Sequence, residues 1–260
     1  MMDKVALITG SSRGLAVAFA HELALGGFSL VLNYRHHQER TDHLAETLKQ
    51  KYGVEVMALQ ADMQHPDQLN SMMEDIESRF SRLDVLIHSA GPYIFERKRL
   101  IDYTDEEWRQ MVDGNLSSAF FLFRKAIPLM RKHHFGRIIT IGFDRVGDAP
   151  GWIYRSAYAA AKVGLASLTK TVAIEEREYG ITANMITPGD IRGALKEALI
   201  AEVEGTSSPR PVVGGDLARV IRFLVEESSG FVSGNVIAVT DGTDVIGKSD
   251  VGKEVPKSGV

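Results

Sequence analysis

"TGSSRGLA", residues 9–16, is a glycine-rich turn that follows a short apolar run at residues 5–9. A segment with helical periodicity, residues 14–25, begins inside the same turn. Small residues let the chain reverse tightly, and they let backbone N–H groups approach a pyrophosphate at the N-terminus of the following helix. The stretch therefore predicts the first strand, the phosphate loop and the first helix of a dinucleotide-binding unit.

The same alternation of short apolar runs and longer helical segments continues to residue 239. Further predicted strands lie at residues 30–32, 54–59, 85–87, 138–141, 182–186 and 236–239, and further predicted helices at residues 42–51, 66–80, 104–131, 157–178 and 215–226. Strands buried on both faces read as continuous apolar runs, and strand–helix–strand alternation implies right-handed crossovers. We expect an α/β fold: a single Rossmann-like, doubly wound domain over residues 1–246, with a seven-stranded parallel sheet and helices on both faces. The polar segment 247–260 is predicted to be a flexible tail.

Composition excludes several classes of site and partner. The chain has 260 residues, a net charge of −4 and no cysteine, which excludes disulfides, thiolate metal ligands and a cysteine nucleophile. No apolar run approaches the ~18 residues of a membrane span, and the charge gives no reason to expect nucleic acid or an anionic membrane as a partner. The histidines lack companion ligands at metal-binding spacing, so no metal site is expected. The beginning of the sequence resembles no signal peptide, and we expect a cytoplasmic protein.

The end of the second strand predicts the choice of cofactor. NAD-binding units carry an acidic residue here, which accepts hydrogen bonds from the ribose 2′-hydroxyl. Tyr34 stands at that position and Arg35 follows it. The guanidinium of Arg35 suits a 2′-phosphate, and Arg13 in the phosphate loop can converge on the same group. The pair of arginines therefore favours NADP(H).

Tyr158 and Lys162 are four residues apart on a predicted helix, so the phenol and the ammonium share one face. A free tyrosine titrates near pH ~10, and a neighbouring ammonium favours tyrosinate and lowers that pKa. Tyr158 can then give its proton to a carbonyl oxygen as hydride arrives, or take it back in the reverse direction. The pair predicts general acid–base catalysis with Tyr158 as the acid.

With these motifs in their order along the chain, residues 4–242 resemble the short-chain dehydrogenase/reductase family, close to its 3-oxoacyl-acyl-carrier-protein reductases. The phosphate loop resembles the family pattern T-G-x-x-x-G-x-G, with Ala16 in place of the last glycine. The resemblance implies that Asn115 bends a long helix and holds a water of the proton relay. It also implies that Asp62 contacts the adenine, although Asp62 could equally cap the helix that begins near Pro66. The cofactor contacts indicated by the loops and by the resemblance are Gly10, Ser12, Arg13, Gly14, Leu15, Tyr34, Arg35, Asp62, Met63, Ser89, Ala90, Gly91, Tyr158, Lys162, Pro188, Gly189 and Ile191.

One position departs from the family pattern. The family places a substrate-binding serine directly after the fifth strand, and Phe143 stands there in this chain. Counting back thirteen residues from Tyr158 reaches Arg145 instead, which indicates an insertion of about two residues. Polar candidates for the missing donor are Asp144, Arg145 and Ser156. A pteridine-reductase branch of the family uses an aspartate near this position, and the alternative for Asp144 is an ordinary Asx turn.

Aromatic residues are concentrated in the loops after the fourth and fifth strands, at the sheet edge where α/β proteins bind ligands. Each ring by itself is compatible with packing inside its own loop. Together they predict an apolar substrate pocket that accommodates flat or aryl groups. The predicted substrate contacts are Tyr93, Phe143, Trp152 and Tyr154, with Phe95 beside them.

The sequence thus predicts an NADP(H)-dependent oxidoreductase that transfers a hydride between nicotinamide and a carbonyl or alcohol, similar to 3-oxoacyl-thioester reductases. A small-molecule carbonyl compound is the expected substrate, with an acyl-carrier-protein thioester as one candidate. Two alternatives stay open: a pteridine-type reductase, and a catalytically silent NADP-binding regulatory protein. The resemblance implies a homotetramer, and small residues on the helix at 157–178 allow close helix packing. The predicted catalytic residues are Tyr158, Lys162, Asn115 and Asp144.

Overall fold

One parallel sheet organises the part of the chain that the structure describes, residues 4–207 and 210–248 of a computed structural model. Its strands are β1 (Val5–Ile8), β2 (Ser29–Tyr34), β3 (Val56–Gln60), β4 (Val85–His88), β5 (Gly136–Ile141), β6 (Ile181–Pro188) and β7 (Val236–Val239). Every neighbouring pair is parallel, and the order across the sheet is β3-β2-β1-β4-β5-β6-β7. The prediction of a single doubly wound α/β domain is confirmed.

Helices cover both faces of this sheet. They are α1 (Leu15–Leu25), α2 (Gln38–Tyr52), α3 (Pro66–Phe80), α4 (Asp105–Val112), α5 (Ser118–Lys132), α6 (Ser156–Glu175), α7 (Ile200–Val203), α8 (Gly214–Val225) and α9 (Val245–Lys248). Successive strand residues point to opposite faces. In β1, Leu7 therefore packs with residues of α3, α5 and α6, whereas Ile8 packs with residues of α1, α2 and α8, and both side chains are fully buried.

The strand order places a crevice where the site is expected. The chain runs outward from β1 to β3 and then returns to β4 on the other side of β1. At such a reversal the loops after the two neighbouring strands diverge, and α/β proteins bind their ligands there. The loops after β1, β4, β5 and β6 carry most of the predicted site residues.

The predicted helix at residues 104–131 is interrupted by a π-helical turn, Asp113–Ser117, between α4 and α5. The side-chain amide of Asn115 donates to the backbone oxygens of Met111 and Pro92, each at 3.0 Å. Gly114 lies against the ring of Pro92, and a Cβ at this position would overlap the Cδ of that proline. The turn thus needs both a small residue and an amide, and it interrupts the long helix at Asn115. Single π-helical turns of this kind often occur at functional sites.

Several element boundaries differ from the prediction. The helix predicted at residues 157–178 ends at Glu175, and a separate 3₁₀ turn follows at Arg177–Tyr179. The short helix α7 was not predicted, because four residues carry no detectable periodicity. The boundary predicted after residue 246 falls inside α9, and the rest of the predicted tail lies outside the described residues. Within residues 4–207 and 210–248, no helix has the length and apolar character needed to cross a membrane.

Candidate active site

The phosphate loop at the end of β1 is shaped by two glycines. Gly10 has a φ of +66°, and a Cβ there would lie 3.0 Å from the Cα of Ala90. Gly14 has a φ of +72° and directly precedes α1. Asn33 in β2 fixes the turn, because its backbone oxygen accepts from Ser11 N at 2.9 Å and its side-chain oxygen accepts from Gly10 N at 3.1 Å. The loop therefore has the left-handed residues and the close backbone approach that phosphate binding requires.

The first turn of α1 holds an anionic side chain of the protein itself. The N–H of Gly14 donates to Oε1 of Glu197 at 2.9 Å, and Nη2 of Arg40 binds the two carboxylate oxygens at 2.6 and 2.7 Å. Anions are stabilised at a helix N-terminus by free N–H groups and by the helix dipole. The loop thus fits the pyrophosphate of a dinucleotide, which would replace the Glu197 carboxylate. Sequence reasoning missed Glu197, which lies 183 residues after Gly14 in a segment without a recognisable motif.

Arg35 and Asp62, two of the predicted cofactor contacts, bind each other. The Nε of Arg35 lies 2.9 Å from Oδ2 of Asp62. The other carboxylate oxygen of Asp62 accepts from the N–H of Gln64 at 3.1 Å. Helix α3 begins at Pro66, its N-cap residue is His65, and no side chain caps it. The alternative that Asp62 caps this helix is therefore wrong, and its carboxylate holds Arg35 at the end of β2.

The other predicted cofactor contacts line the loops after β1, β4 and β6. The N–H groups of Ser89 and Ala90 donate to Oγ1 of Thr9 at 3.1 and 3.0 Å. Gly189 N donates to the end of β7 at 3.0 Å, and Ile191 N donates to the oxygen of Gly189 at 2.9 Å. These four N–H groups have partners within the protein. Of the remaining contacts, Leu15 begins α1, Pro188 ends β6, Arg13 is exposed, and Ser12, Tyr34 and Met63 are buried.

The predicted catalytic pair, Tyr158 and Lys162, lies on α6 beside the end of β5. Lys162 is buried, and its Nζ donates to the backbone oxygen of Ile141 at 2.9 Å. Burial lowers the pKa of Lys162 to about 8. Burial also raises the pKa of Tyr158, and Tyr93 raises it further. In the described chain, loss of water around the phenol outweighs the effect of Lys162, whose Nζ donates to Ile141. The lowering of the Tyr158 pKa by Lys162 together with an oxidised nicotinamide stays a prediction.

Asn115 places an acceptor between Lys162 and the loop after β4. The residue is fully buried, and its Oδ1 has no hydrogen-bond partner in the described structure. A Cβ at Gly91 would overlap this oxygen and would lie 3.6 Å from Nζ of Lys162. A glycine is therefore required at position 91, and the free Oδ1 is available to a polar group bound beside the lysine. Lys162 lies near Asn115 at Gly91, and its Nζ is 5.7 Å from the centroid of the Tyr158 ring.

A buried histidine, His88, directly precedes the predicted cofactor contacts at residues 89–91, and it joins three loops of the site. Nδ1 of His88 lies 3.3 Å from Oγ1 of Thr9, and Nε2 lies 3.2 Å from Oγ of Ser118. Oγ1 of Thr9 already accepts two N–H groups, so its hydroxyl proton points to Nδ1 and the imidazole must carry its own proton on Nε2. The Ser118 hydroxyl then accepts from Nε2 and donates to the oxygen of Gly114 at 2.9 Å. This chain of bonds requires a neutral imidazole, and burial lowers the pKa of His88 to about 3.

Four aromatic side chains form what we call the ring cluster: Tyr93, Phe143, Trp152 and Tyr158. The centroid of the Tyr158 ring lies 4.9 Å from that of Tyr93 and 6.1 Å from those of Phe143 and Trp152. The rings of Phe143 and Trp152 are 5.0 Å apart, and Phe143 is only 4% exposed. Three of the four predicted substrate contacts therefore surround the predicted acid.

Tyr154 and Asp144 have partners outside this cluster. The Arg97 guanidinium lies over the ring of Tyr154, 4.7 Å from its centroid. Oδ2 of Asp144 accepts from the N–H of Val245 at 2.9 Å, which ties this carboxylate to the start of α9. A carboxylate donates a hydrogen bond only while it carries a proton. Asp144 thus has a partner in the C-terminal segment, and its predicted catalytic role stays a prediction.

Comparisons with known proteins agree with this geometry. A family model described as short chain dehydrogenase matches residues 4–204. The chain belongs to the short-chain dehydrogenase/reductase family. Members of this family use a nicotinamide cofactor, and the chain is an enzyme of this type. Among the described residues, no group of three or more histidine or acidic side chains is arranged to hold a metal ion.

Relatives in the family span almost the whole chain. The chain is 50% identical over 250 residues to "Putative oxidoreductase YtkK" of Bacillus subtilis (strain 168), covering 94% of this chain and 98% of that protein. It is 33% identical over 246 residues to the 3-oxoacyl-acyl-carrier-protein reductase FabG of Staphylococcus aureus (strain Mu50 / ATCC 700699), covering 93% and 98%. A structure titled "putative 3-oxoacyl-reductase" from Bacillus thuringiensis has a TM-score of 0.88 and 47% identity, covering 94% and 99%.

Replacing His88 with asparagine tests whether the imidazole of His88 is buried in its neutral form. The unfolded chain binds a proton near pH 6.5 whereas folded His88 binds one only near pH 3, so stability is lost as the pH falls through this window. Between pH 7 and pH 5.5 we expect the wild type to lose about 1 kcal/mol more unfolding free energy than His88→Asn, measured by urea titration. All other ionisable groups are the same in the two proteins, so their contributions cancel. Equal acid losses in the two proteins would show that His88 is not buried as a neutral group.

Replacing Glu197 with glutamine tests whether its carboxylate competes with the cofactor phosphates. A helix N-terminus favours an anion by about 0.3–1 kcal/mol, so loss of the charge should tighten dinucleotide binding by about two- to fivefold. Fluorescence titration with NADPH measures the affinity, and Glu204→Gln in the same segment is the matched control. Unchanged or weaker binding by Glu197→Gln would contradict the competition.

Proposed function

We propose that this enzyme is an NADPH-dependent carbonyl reductase in which Tyr158 is the general acid. The observation that carries the proposal is the convergence of Tyr158, Lys162 and Asn115 beside the glycine loop at the carboxyl edge of the sheet. Two of the similar proteins carry 3-oxoacyl reductase in their names. A catalytically silent regulatory protein would not need a lysine and a phenol buried together at the cofactor crevice, since burying them raises the free energy of the charged forms.

The preference for NADPH is supported by the charge at the end of β2. Arg35 is half-exposed and is held by Asp62, and exposed Arg13 lies in the neighbouring loop. A planar guanidinium binds a phosphate through two parallel hydrogen bonds. No acidic residue occupies the position of Tyr34, where NAD binding would require one.

Tyr158 is the proposed acid because its phenol lies in the ring cluster beside Lys162 and, like any tyrosine, carries a proton at neutral pH. When bound, the reduced nicotinamide supplies the hydride. The phenol donates to the carbonyl oxygen, and its proton neutralises the charge that develops there. Lys162 would bind the nicotinamide ribose, and the free Oδ1 of Asn115 would accept a hydrogen bond from the proton relay.

Small carbonyl compounds are the proposed substrates, and an acyl-carrier-protein 3-oxoacyl thioester is one candidate because of the FabG relatives. The pteridine-type alternative, which Asp144 and the aromatic loops would serve, has less support because the Asp144 carboxylate accepts from the N–H of Val245. We also propose a cytoplasmic protein that functions without nucleic acid or a membrane.

A homotetramer is proposed as the assembly. The outer face of α6 carries exposed Ala160 and Ile174, and Phe120 on α5 is 45% exposed. Residues 149–153 and this face of α6 line an open apolar cavity of about 740 Å³. Apolar helix faces with small residues suit the symmetric contacts of a closed oligomer.

Tyr158→Phe should remove nearly all carbonyl reduction, by about 10²–10⁴-fold in kcat, because general acids contribute this much. The Kd for NADPH should stay within a few-fold of the wild type, since the phenol acts on the substrate oxygen. Lys162→Ala should weaken both activity and NADPH binding. The assay is NADPH oxidation with a panel of ketones, diketones, acetoacetyl thioesters and pterins. Wild-type turnover by Tyr158→Phe on the best substrate would overturn the proposed mechanism.

Arg35→Asp should reverse the cofactor preference. The wild type should bind NADPH at least about tenfold more tightly than NADH, which corresponds to about 1.4 kcal/mol. The substitution removes the phosphate-binding guanidinium and adds an acceptor for the ribose hydroxyls. Both nucleotides are titrated by fluorescence, with Arg177→Asp at the opposite edge of the sheet as the control for added negative charge. Equal affinity of the wild type for the two nucleotides would exclude the NADPH assignment.

A further inference from the structure

The identity of residue 143 affects how many hydrogen bonds the site can donate to an oxyanion that develops on the substrate. The residue follows β5 at the position where the family has its serine, and its ring packs 5.0 Å from Trp152 and 6.1 Å from Tyr158. A benzyl side chain has no hydrogen-bond donor. The side chain beside the predicted acid is therefore an apolar wall, whereas a hydroxyl there would give the substrate oxygen a second hydrogen bond.

The loss of one donor has a large energetic consequence. Removing a single oxyanion donor typically costs about 10²–10³-fold in kcat, because the donor acts on charge that develops only in the transition state. For a substrate whose own structure stabilises that charge, the absence of the donor lowers kcat by a smaller factor. A second carbonyl next to the reacting one withdraws electron density, so hydride addition is easier and the resulting alkoxide is less basic.

The ring cluster also restricts the shape of the substrate. Tyr93 and Trp152 meet the Tyr158 ring edge to face, at interplanar angles of 85° and 67°. Arg155 holds the loop of Tyr93 in place, because its guanidinium lies 5.1 Å from that ring and donates to the backbone oxygens of Phe95 and Glu96. Fixed aromatic walls favour flat groups, which stack on ring faces or meet their edges.

We infer, on the basis of the proposed function, that this reductase takes vicinal dicarbonyl compounds bearing a flat aryl group in preference to unactivated ketones. Hydride adds to one carbonyl carbon, and the C=O π pair takes the proton of the Tyr158 phenol. The diketone is reduced to an α-hydroxyketone, the nicotinamide is oxidised, and Tyr158 regains its proton from solvent. The second carbonyl is unchanged and serves as the electron-withdrawing group.

Two substrates with the same skeleton test this selectivity: 1-phenyl-1,2-propanedione and 1-phenyl-1-propanone. Two near-isosteric pairs of variants separate the lost donor from the lost ring: Phe143→Thr with Phe143→Val, and Phe143→Ser with Phe143→Ala. The measured quantity is the ratio of kcat/KM for the diketone to kcat/KM for the ketone. An added hydroxyl should raise kcat/KM for the ketone more than for the diketone. We therefore expect the ratio to be at least about tenfold lower for Phe143→Thr than for Phe143→Val, and at least about tenfold lower for Phe143→Ser than for Phe143→Ala. The second pair keeps the test valid if one variant of the first fails to fold by circular dichroism.

Three outcomes would overturn the inference while the reductase assignment stands. The first is a wild type that reduces the ketone as efficiently as the diketone, and the second is an equal ratio within both variant pairs. The third is a loss in Tyr93→Phe or in Ser156→Ala as large as in Tyr158→Phe. The Tyr93 phenol, or the Ser156 hydroxyl, which is buried without a hydrogen-bond partner in the described structure, would then have replaced the serine. If the wild type turns over no carbonyl or pterin compound although it binds NADPH, the proposed function itself fails.

Discussion

The hydroxyl of Thr9 joins the ends of β1 and β4, and the geometry of the site depends on this junction. Its oxygen accepts the N–H groups of Ser89 and Ala90, and its proton points to His88. Through Ser118 the same chain of bonds reaches the π-helical turn that carries Asn115. One small side chain therefore fixes the phosphate loop, the loop after β4 and the π-helical turn relative to each other. Thr9, His88 and Ser118 are fully buried, so a broken bond among them would leave an unsatisfied polar atom and cost about 1–3 kcal/mol.

Removal of water governs the chemistry of the buried groups. It lowers the pKa values of His88 and Lys162 and raises that of Tyr158, so each group is shifted toward its neutral form. A protonated phenol suits reduction, in which the acid must have a proton to give. Glu197 at the first turn of α1 shows that the cofactor crevice attracts negative charge. The crevice thus combines an electropositive phosphate end with an apolar, aromatic substrate end.

The sequence predicts the features of this protein that repeat or lie close together in the chain. Alternating apolar runs predict the sheet, and the spacing of Tyr158 and Lys162 predicts their common face. The interactions that it misses are long-range. The bond from Gly14 to Glu197 spans 183 residues, and the one from Asp144 to Val245 spans 101. Neither leaves a local pattern, because each depends on how two distant loops meet at the sheet edge.

The spacing of Tyr158 and Lys162 in the sequence also does not predict the pKa of Tyr158. An i, i+4 pair places phenol and ammonium on one face, but only the tertiary structure shows that Lys162 turns to the oxygen of Ile141. Similarly, the position of Phe143 in the sequence marks a missing serine, whereas its packing against Trp152 and Tyr158 is visible only in the folded chain. Environment rather than spacing therefore decides what these side chains can do.

Hydride transfer to a carbonyl carbon is the central claim, and isotope transfer tests it most directly. The enzyme is incubated with 1-phenyl-1,2-propanedione and with NADPH deuterated at one or the other face of C4, and the products are analysed by mass spectrometry and NMR. The account predicts that one of the two labelled cofactors, and not the other, delivers deuterium to the carbon that bears the new hydroxyl group. Product without deuterium from either cofactor, or with deuterium at any other carbon, would contradict it.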